Sequence, residues 1–487
     1  MNIENTKHPD YITAETELFL VRKFIEGAAA VKREGVKFLP HPNQLECNTP
    51  EQLRRYEAYK MGAEVEDFAS RTLNDLLGAM FRHPAKVNLP PQLEYLKDDS
   101  DGDWLSLQAS IEITASNCLQ VGYHILLAEY DQLPTGLDVE LSIAEKAALN
   151  QRASIKHYPR EALVDWNYGK VGGRLTLVYA RLEHNEIRRN DDGVSFNATV
   201  SLELGIDEKG YWQELEVLDG KSVIQSEERI YPQANGKNMT YIPIEIVQSE
   251  RIVAGKLPVN GGYLSPLCHK AHARYQVSAD LKERLRILQD TSYSSGWDES
   301  KKEQFDIING RKYFAMGAGV HNFLPDGVTM DILKLTADGD ALFKYMEENE
   351  KQVRAIGGRF ETQDNQQQTL GEVEIKDANE KAVLTLLTNN IERAYKNIIA
   401  YCGDFEGLTL QPSDIDLVLN REFTSTTLTP DEVRAIRELV LDRLMTPQMA
   451  IEKLIAGGYI SGEAEDVISM IEAIPLPMLQ TVQNSVQ

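Results

Sequence analysis

Cysteine and histidine side chains come together at one place in the sequence, Cys268-His269-Lys270-Ala271-His272. His269 and His272 stand three residues apart, so on a helix they share one face and could supply two ligands to a metal ion. A structural zinc site needs a second pair of ligands, and the sequence has no CxxC or HxxxH pair elsewhere. We therefore expect this cluster to serve helix packing or a contact between subunits, and we predict no metal site.

Two glycine-containing stretches resemble phosphate-binding motifs. Gly220-Lys221-Ser222 matches the end of a phosphate loop, but Leu215 stands where that motif needs its first glycine. Gly317-Ala318-Gly319 begins like a dinucleotide fingerprint, but Asn322 stands where the third glycine is needed. The first stretch is therefore predicted to be a hairpin turn, and neither stretch predicts a nucleotide cofactor.

Acidic residues crowd between Asp98 and Asp103, as they do in calcium-binding loops. The glycine and the terminal glutamate of such a loop are misplaced here, so the segment is interpreted as a solvated linker. The sequence also has no serine nucleophile elbow, no HExxH motif and no CxxC redox pair. We therefore predict no catalytic residues, no cofactor and a protein that is not an enzyme.

The charge balance of the chain is strongly acidic. The 487 residues include 51 lysines and arginines against 75 aspartates and glutamates, a formal net charge of −24. Tight nucleic-acid binding uses basic faces, so this balance disfavours it. The excess is uneven, because residues 264–334 hold nine acids and ten bases, whereas residues 404–487 hold fourteen acids and five bases.

The four cysteines are far apart, which indicates free thiols, and no apolar run approaches the roughly 18 residues of a membrane span.

Hydrophobic periodicity divides the first half of the chain into helices and strands. We predict a helix capped by Thr13, a helix from Thr49 to about Phe81, and a third helix over about 105–130. Between about 155 and 253 the pattern changes to alternation bounded by turn signals, which predicts antiparallel strands. Helices and a sheet that are segregated along the sequence indicate the α+β class.

Two amphipathic helices follow, with a compact insert between them. Residues 264–288 carry apolar side chains at steps of three or four, and the other side of that helix carries a charge row, Lys270, Arg274, Lys282 and Arg286. The second helix spans 336–356, and a polar loop at 362–369 comes after it. A further long helix is predicted over about 375–401.

This order of elements resembles that of the portal proteins of tailed bacteriophages, the head-to-tail connectors of the virion. Five stretches are similar to a portal-like family once classed as of unknown function: NTPEQLRRYEAYK (48–60), RTLNDLLGAMFRHP (71–84), YPREALVDW (158–166), FLPDG (323–327) and EKQVRAIGGR (350–359). The likeness extends over nearly the whole chain. It consists of element order and short phrases, without a catalytic signature.

The resemblance implies a portal-type α+β fold with a helical and antiparallel-β wing, a two-helix stem, a small α/β clip, a tunnel loop and a helical C-terminal crown. In this sequence the parts would be the wing at 1–263 (β-rich at 155–253), stem helix 1 at 264–288, the clip at 289–335, stem helix 2 at 336–356, the tunnel loop at 357–373, the long helix and return to the wing at 374–428, and the crown at 429–487.

A portal implies a homo-oligomeric ring, typically a dodecamer, at one capsid vertex of the virion, assembled in the host cytoplasm. Double-stranded DNA would pass through the ring without sequence specificity during packaging and ejection. The large subunit of terminase, the packaging ATPase, would dock on the clip, and tail adaptor proteins would replace it later. The major capsid protein would be a further partner, and no membrane is implied. The alternatives are another virion structural or adaptor ring protein, or an unrecognised α+β hydrolase.

Three sets of candidate site residues follow. The tunnel loop would contact DNA through Arg359, Gln363, Asn365, Gln366, Gln367 and Gln368. The clip would face terminase or adaptors with Lys301, Lys302, Arg311 and Lys312. The charge row would face DNA as a weak brake, pair with a neighbouring subunit's acids, or be a solvated helix face. An acidic or neutral channel repels phosphates, so the net charge suits a conduit along which a duplex slides.

Overall fold

The protein is a mixed α+β molecule with several antiparallel sheets, as the sequence predicts. The computed structural model describes residues 7–42, 49–130, 152–189, 193–220, 222–234, 236–287, 291–311, 321–333, 340–356, 370–421, 423, 430–442, 444–456, 460, 467 and 469. The chain divides into two compact units. One comprises Met1–Gly78 and Pro84–Leu419, and the other comprises Ala79–His83 and Asn420–Gln487.

The main elements in the described residues up to 130 are α-helices and strands. They are α1 (Pro9–Glu26), α2 (Ala28–Arg33), α3 (Pro50–Gly62), α4 (Phe68–Met80), β1 (Lys86–Asn88), α5 (Leu107–Val121) and β2 (Tyr123–Tyr130). The strands from 153 to 248 are β3 (Ala153–Pro159), β4 (Leu163–Val171), β5 (Arg174–Arg189), β6 (Ser195–Asp207), β7 (Gly210–Asp219), β8 (Ser222–Ser226), β9 (Gln233–Ala234), β10 (Lys237–Asn238) and β11 (Ile244–Gln248).

The remaining elements in the described residues are helices and short strands. They are α6 (Ser265–Ile287), β12 (Thr291–Ser295), α7 (Glu299–Asn309), β13 (Thr329–Leu333), α8 (Asp340–Ala355), α9 (Leu370–Phe405), β14 (Asp416–Val418), α10 (Pro430–Leu441) and α11 (Pro447–Ala456). The last two helices belong to the second unit, where the Thr446 hydroxyl accepts the Met449 amide at 3.3 Å and so caps α11.

Two antiparallel sheets form the centre of the first unit. One has five strands in the order β4-β5-β6-β7-β8, and the other has three in the order β11-β2-β3. Sequential neighbours in the five-stranded sheet are joined by hairpins, and the β7–β8 turn contains Gly220 at φ +61 with Asp219 paired to Ser222. The predicted hairpin turn at this position is therefore confirmed, although Lys221 lies outside the described residues.

The two sheets share one apolar core, because strand alternation points every second side chain of each sheet toward the other. Its members from β2, β4, β5 and β6 are buried together: Tyr123, Ile125, Leu127, Leu163, Trp166, Leu182, Leu202 and Leu204. Helices α5 and α9 contact the three-stranded sheet as well. Strand β2 is consequently buried on both of its faces.

The prediction of a single helix over 105–130 is wrong. The helix α5 ends at Val121, Gly122 adopts φ +96, and the chain continues as the strand β2. A strand that is buried on both faces has a continuous apolar run, which periodicity cannot distinguish from a buried helix. Gly122 suits the turn because glycine has no Cβ to clash at positive φ.

The start of the first helix also differs from the prediction. The first helix begins at Pro9, not at Thr13, and the His8 imidazole accepts the Asp10 amide at 3.2 Å as its cap. Proline at the first helical position carries no unsatisfied N–H, so the helix starts one turn early. Thr13 lies inside the helix, and its hydroxyl donates to the Pro9 carbonyl.

The helix predicted from Thr49 to Phe81 is two helices, α3 and α4. Its start is confirmed, since Thr49 and Gln52 form a reciprocal capping box. Its interior is interrupted, because residues 63–67 are not helical and the Glu64 amide donates to the Ser278 hydroxyl of α6 at 2.9 Å. A tertiary hydrogen bond thus replaces an intrahelical one at this point.

The acidic segment 98–103 is an ordered loop and not a solvated linker. The Asp99 carboxylate accepts the amides of Gly102 and Trp104, and the Asp101 carboxylate accepts those of Asp103 and Leu105, at 2.8–3.0 Å. Aspartate side chains commonly bond the backbone two or more residues ahead, which closes a turn. The carboxylates therefore organise the loop itself.

Candidate functional site

The two amphipathic helices, α6 and α8, pack against each other as an antiparallel hairpin. The Lys270 ammonium donates to Gln352 Oε1 at 2.6 Å, and the Arg274 guanidinium donates to the Met346 carbonyl at 2.8 Å. Residue numbers thus rise along α6 as they fall along α8. The segment between the two helices, 288–339, therefore leaves and re-enters at one end of the hairpin.

Apolar side chains at helical spacing form the contact between these helices and their surroundings. Leu267, Ala271 and Tyr275 of α6 and Val353 of α8 are buried. Helices α1 and α3 contact α6 from its other sides. The described part of the apolar row predicted for residues 264–288 therefore serves packing within the chain on several sides at once, and between 265 and 283 only Pro266, His269 and Asp280 are exposed.

Three members of the predicted charge row have partners in the same chain. Besides Lys270, the Arg274 guanidinium donates to Glu66 Oε1 at 2.6 Å and Lys282 forms an ion pair with Glu64. The Arg274 side chain is 11 % exposed, so this pair is shielded from water more than the other two. The side chain of Arg286 lies outside the described part of the structure. Whether the row also faces DNA or a neighbouring subunit stays a prediction.

Glu64 and Glu66 are partners of the charge row that the sequence did not reveal. They lie two residues apart in the non-helical connection after α3, so extended backbone can direct both toward α6. Their signal was hidden because the sequence predicted one continuous helix there. The two carboxylates offset much of the positive field of Arg274 and Lys282 on this face of the hairpin.

The Cys268–His272 cluster is divided between packing and solvent. Cys268 is buried, and burial raises the pKa of its thiol to about 12. His272 Nε2 lies 2.8 Å from the Phe38 carbonyl, and burial lowers the pKa of this imidazole. His269 is largely exposed and approaches Glu17 at 4.0 Å. Cys268 and His272 thus serve helix packing, which was one of the two roles expected.

The insert at the end of the hairpin contains a two-stranded antiparallel ladder, β12 with β13, and the helix α7. Trp297 and Phe305 meet edge to face at 5.6 Å and form its small apolar centre. Gly296 lies so close to Gly327 that an added Cβ would be 2.3 Å from the Gly327 carbonyl oxygen. This close approach brings the segments after β12 and before β13 together.

The basic residues predicted for this insert have different environments. Lys301 donates to the Gly296 carbonyl at 3.0 Å, and Arg311 donates to Asn322 Oδ1 at 2.7 Å. Lys302 is exposed and pairs with Glu299 one turn away. Lys312 lies outside the described residues. Of these three described residues, Lys302 has the charged group that is most accessible to a partner protein.

The predicted tunnel-loop residues fall in the part of the chain that the structure does not describe. These are Arg359, Gln363, Asn365, Gln366, Gln367 and Gln368. Their contact with DNA stays a prediction. The last described residue before the predicted tunnel loop is Ile356, whose amide donates to the Gln352 carbonyl at the end of α8.

In the described ranges no group of three or more histidine, cysteine, aspartate or glutamate side chains is placed to hold a metal ion. None of the helices described has both the length and the apolar character needed to cross a bilayer. Cys118, Cys268 and Cys402 are free and buried.

Comparisons with known proteins match one part of the chain to a family model. Residues 264–406 match the family model described as a domain of unknown function (DUF4055), so the match begins next to α6 and ends next to the end of α9. No curated protein matches the chain. A solved structure titled as the neck of an empty GTA particle, computed with C6 symmetry, is similar over 86 % of this chain and 96 % of that one. Its sequence identity is 13 % and its TM-score is 0.37.

Proposed function

We propose that this chain is a portal-type ring protein that forms the DNA conduit at one capsid vertex of a tailed-phage-like virion. The observation that carries the proposal is the antiparallel hairpin of α6 and α8 with an α/β insert at one end. In a portal these parts would be the stem and the clip. The sequence phrases similar to a portal-like family lie both inside and outside this region.

The remaining parts are assigned by the same resemblance. Residues 1–263 would form the wing, 357–373 the tunnel loop, and 429–487 the crown. The matched segment 264–406 contains the proposed stem, clip and tunnel loop together. A single family model spans the proposed stem, clip and tunnel loop, which supports treating these three parts as one functional module.

Charge supports a conduit more than a DNA-gripping protein. A protein that neutralises about ten phosphates binds with a salt slope near −9, and such adhesion repeated around a ring would stall a moving duplex. The chain has a formal net charge of −24, and Arg274 and Lys282 are paired with carboxylates of their own chain. Weak phosphate contacts, which exchange readily, suit the passage of DNA.

The oligomeric state is the first test. We expect purified protein to form a ring, with a dodecamer having a mass about twelve times the 54.9 kDa of the chain. Light scattering over a range of salt concentrations and averaged top views by electron microscopy measure this directly. A chain that stays monomeric or dimeric at high concentration would contradict the proposal.

A second experiment separates a portal from another virion ring protein. Replacing residues 289–335 by a short glycine-serine linker should abolish docking of the terminase large subunit and leave the ring intact. The control replaces Lys237, an exposed lysine of β10 outside the insert, with alanine and should leave terminase docking unchanged. An intact ring that does not bind terminase even with the insert present would favour the structural or adaptor role, and terminase binding that survives loss of the insert would contradict docking on the clip.

The proposed tunnel loop is tested in assembled particles. Deleting residues 363–368 should lower the amount of packaged or retained DNA without affecting ring assembly. A glycine-serine hexapeptide of equal length in the same place distinguishes loss of the glutamine side chains from loss of length. Normal DNA content in the deletion particles would refute a role of this loop in packaging.

A further inference from the structure

A cavity of about 420 Å³ lies in the β-rich part of the first unit, away from the α6–α8 hairpin. It is lined by the ends of β2 and β3, by the faces of β5, β6 and β7, and by the segment that follows β8. Its volume falls in the range of about 300–1,000 Å³ that is usual for ligand sites. The proposed function does not use this cavity.

The floor of the cavity is apolar. Val200 and Leu202 of β6 are buried, and Leu215 of β7 and Ile230 complete the surface. Tyr130 and Tyr158 line another side, and the Tyr158 ring lies 6.0 Å from that of His184. A ligand with an aliphatic or planar portion would displace water from this surface favourably.

The wall of the cavity is acidic. Four carboxylates line it, those of Glu129, Glu186, Glu227 and Glu228, against one guanidinium, that of Arg188. The Glu186 carboxylate accepts from His184 and Arg188 at 3.2 Å, and these hydrogen bonds, His184 first, lower its pKa. By count the lining has more carboxylates than cationic groups, which disfavours an anionic ligand.

The same sheet already holds one arginine by this chemistry. On the opposite face of β7, the guanidinium of Arg229 lies 3.7 Å from the centre of the Trp212 ring and donates to Glu214 at 3.2 Å. Its neighbours in sequence, Glu228 and Ile230, line the cavity. In this fold, an aromatic ring and a carboxylate together bind a guanidinium. The cavity lining contains the same two kinds of group, with two tyrosine rings and four carboxylates.

The edge of the five-stranded sheet favours an extended partner. Strand β8 is the last strand of that sheet, and all five of its residues are exposed and uncharged. Natural edge strands usually carry charges or bulges that limit pairing. Strand β8 carries no charge, although its register with β7 shifts once, between Val217 and Leu218. Beyond β8, Glu227 donates its amide to the Leu215 carbonyl, so the edge continues to the mouth of the cavity. An extended peptide can pair along such an edge.

We propose that this cavity binds an arginine side chain presented by an extended, basic peptide segment of a partner protein. The methylene groups of the arginine would lie on the apolar floor, and its guanidinium would meet the carboxylates beside a tyrosine ring. A metal ion is a poorer fit, because no set of three or more potential ligands converges in the described residues. An apolar ligand would leave the carboxylates desolvated without compensation.

The test uses the full-length protein and two labelled peptides. One has a single central arginine between glycine and serine residues, and the other has citrulline in that position, which keeps the shape and removes the charge. In fluorescence anisotropy we expect saturable binding of the arginine peptide and none of the citrulline peptide. The variant Glu228→Lys should weaken binding about tenfold, since reversing a charge at the site costs roughly 1.4 kcal/mol.

The matched control is Glu208→Lys, which makes the same change in net charge at an exposed residue outside the cavity lining. We expect its affinity for the arginine peptide to be unchanged. A milder pair of changes, Glu227→Gln with Glu228→Gln, should weaken binding about fivefold and introduces no new positive charge. Equal losses in Glu208→Lys and Glu228→Lys, equal binding of both peptides, or no saturable binding of the arginine peptide would each overturn the proposal.

Discussion

His124 and His157 are bonded to each other in the interior of the first unit, with Nε2 of His124 lying 3.1 Å from Nδ1 of His157. The other nitrogen of His157 lies 2.8 Å from the Ser110 hydroxyl, which in turn lies 2.7 Å from the Tyr395 hydroxyl. This chain of hydrogen bonds links β2, β3, α5 and α9. In this hydrogen bond one imidazole nitrogen donates and the other accepts. The accepting nitrogen carries no proton, so at least one of the two imidazoles is neutral.

This pair predicts that stability falls in mild acid. Burial lowers the pKa of His157 to about 4 and the pKa of His124 well below its usual value. Because the unfolded chain takes up these protons near pH 6.5, the free energy of unfolding should be highest above that pH and should decrease as pH falls toward 4. Each histidine contributes at most about 1.4 kcal/mol per pH unit in this window. Urea unfolding at a series of pH values measures the slope.

The variant His157→Gln removes one titrating group and keeps a polar side chain beside Ser110. We expect a smaller decrease of the unfolding free energy between pH 6.5 and 4 than in the wild type. His321→Gln is the control, since His321 is exposed. Parallel pH profiles for the wild type and His157→Gln would show that the pair does not set the acid response.

The shielded ion pair of the hairpin should matter more than the exposed one. Arg274→Met leaves the Glu66 carboxylate and the Met346 carbonyl without this donor, which should lower the free energy of unfolding by about 2–3 kcal/mol. Lys282→Met removes a more exposed partner of Glu64 and should cost about 1 kcal/mol or less. Chemical unfolding of both variants under one set of conditions compares them, and equal losses would contradict the difference in shielding.

Close backbone packing predicts opposite results at two glycines. A Cβ added at Gly262 would lie 2.5 Å from the Leu119 carbonyl oxygen, a backbone atom, so Gly262→Ala should destabilise the protein by more than about 1 kcal/mol. Gly78 lies inside α4 with nothing within 4 Å of the added atom. Gly78→Ala should therefore raise stability by about 0.5–1 kcal/mol through helix propensity. Thermal unfolding distinguishes the two signs, and a neutral Gly262→Ala would contradict the clash.

Trp104 combines exposure with an unfavourable backbone. The residue is 88 % exposed and its φ is +73, the left-handed region that non-glycine residues rarely occupy. Asparagine tolerates this region better, so Trp104→Asn should stabilise the folded protein by about 0.5–1 kcal/mol. Trp104→Phe keeps the strain and serves as the control. A Trp104→Asn protein that is less stable than the control would show that the indole itself supports the loop.

Several elements were predictable because their signals are local in the sequence. The capping box at Thr49 and Gln52, the hairpin turn at Gly220 and the apolar spacing of α6 depend on residues within a few positions of one another. Local signals failed where burial on both sides removed the periodicity, as in β2, and where Ser278 bonds Glu64 and interrupts a predicted helix. These failures arise because tertiary contacts override local preference.

The sequence by itself determined the α+β class, the acidic balance, the absence of a catalytic motif and the position of a basic row on α6. The tertiary structure decided which groups meet. Lys270, Arg274 and Lys282 find partners 72 to 218 residues away along the chain, and the cavity near Tyr158 is assembled from five strands and a following segment. Spacing along a chain limits which side chains share a helix face or strand face. The packing of distant elements fixes what those faces contact, and that information is not local.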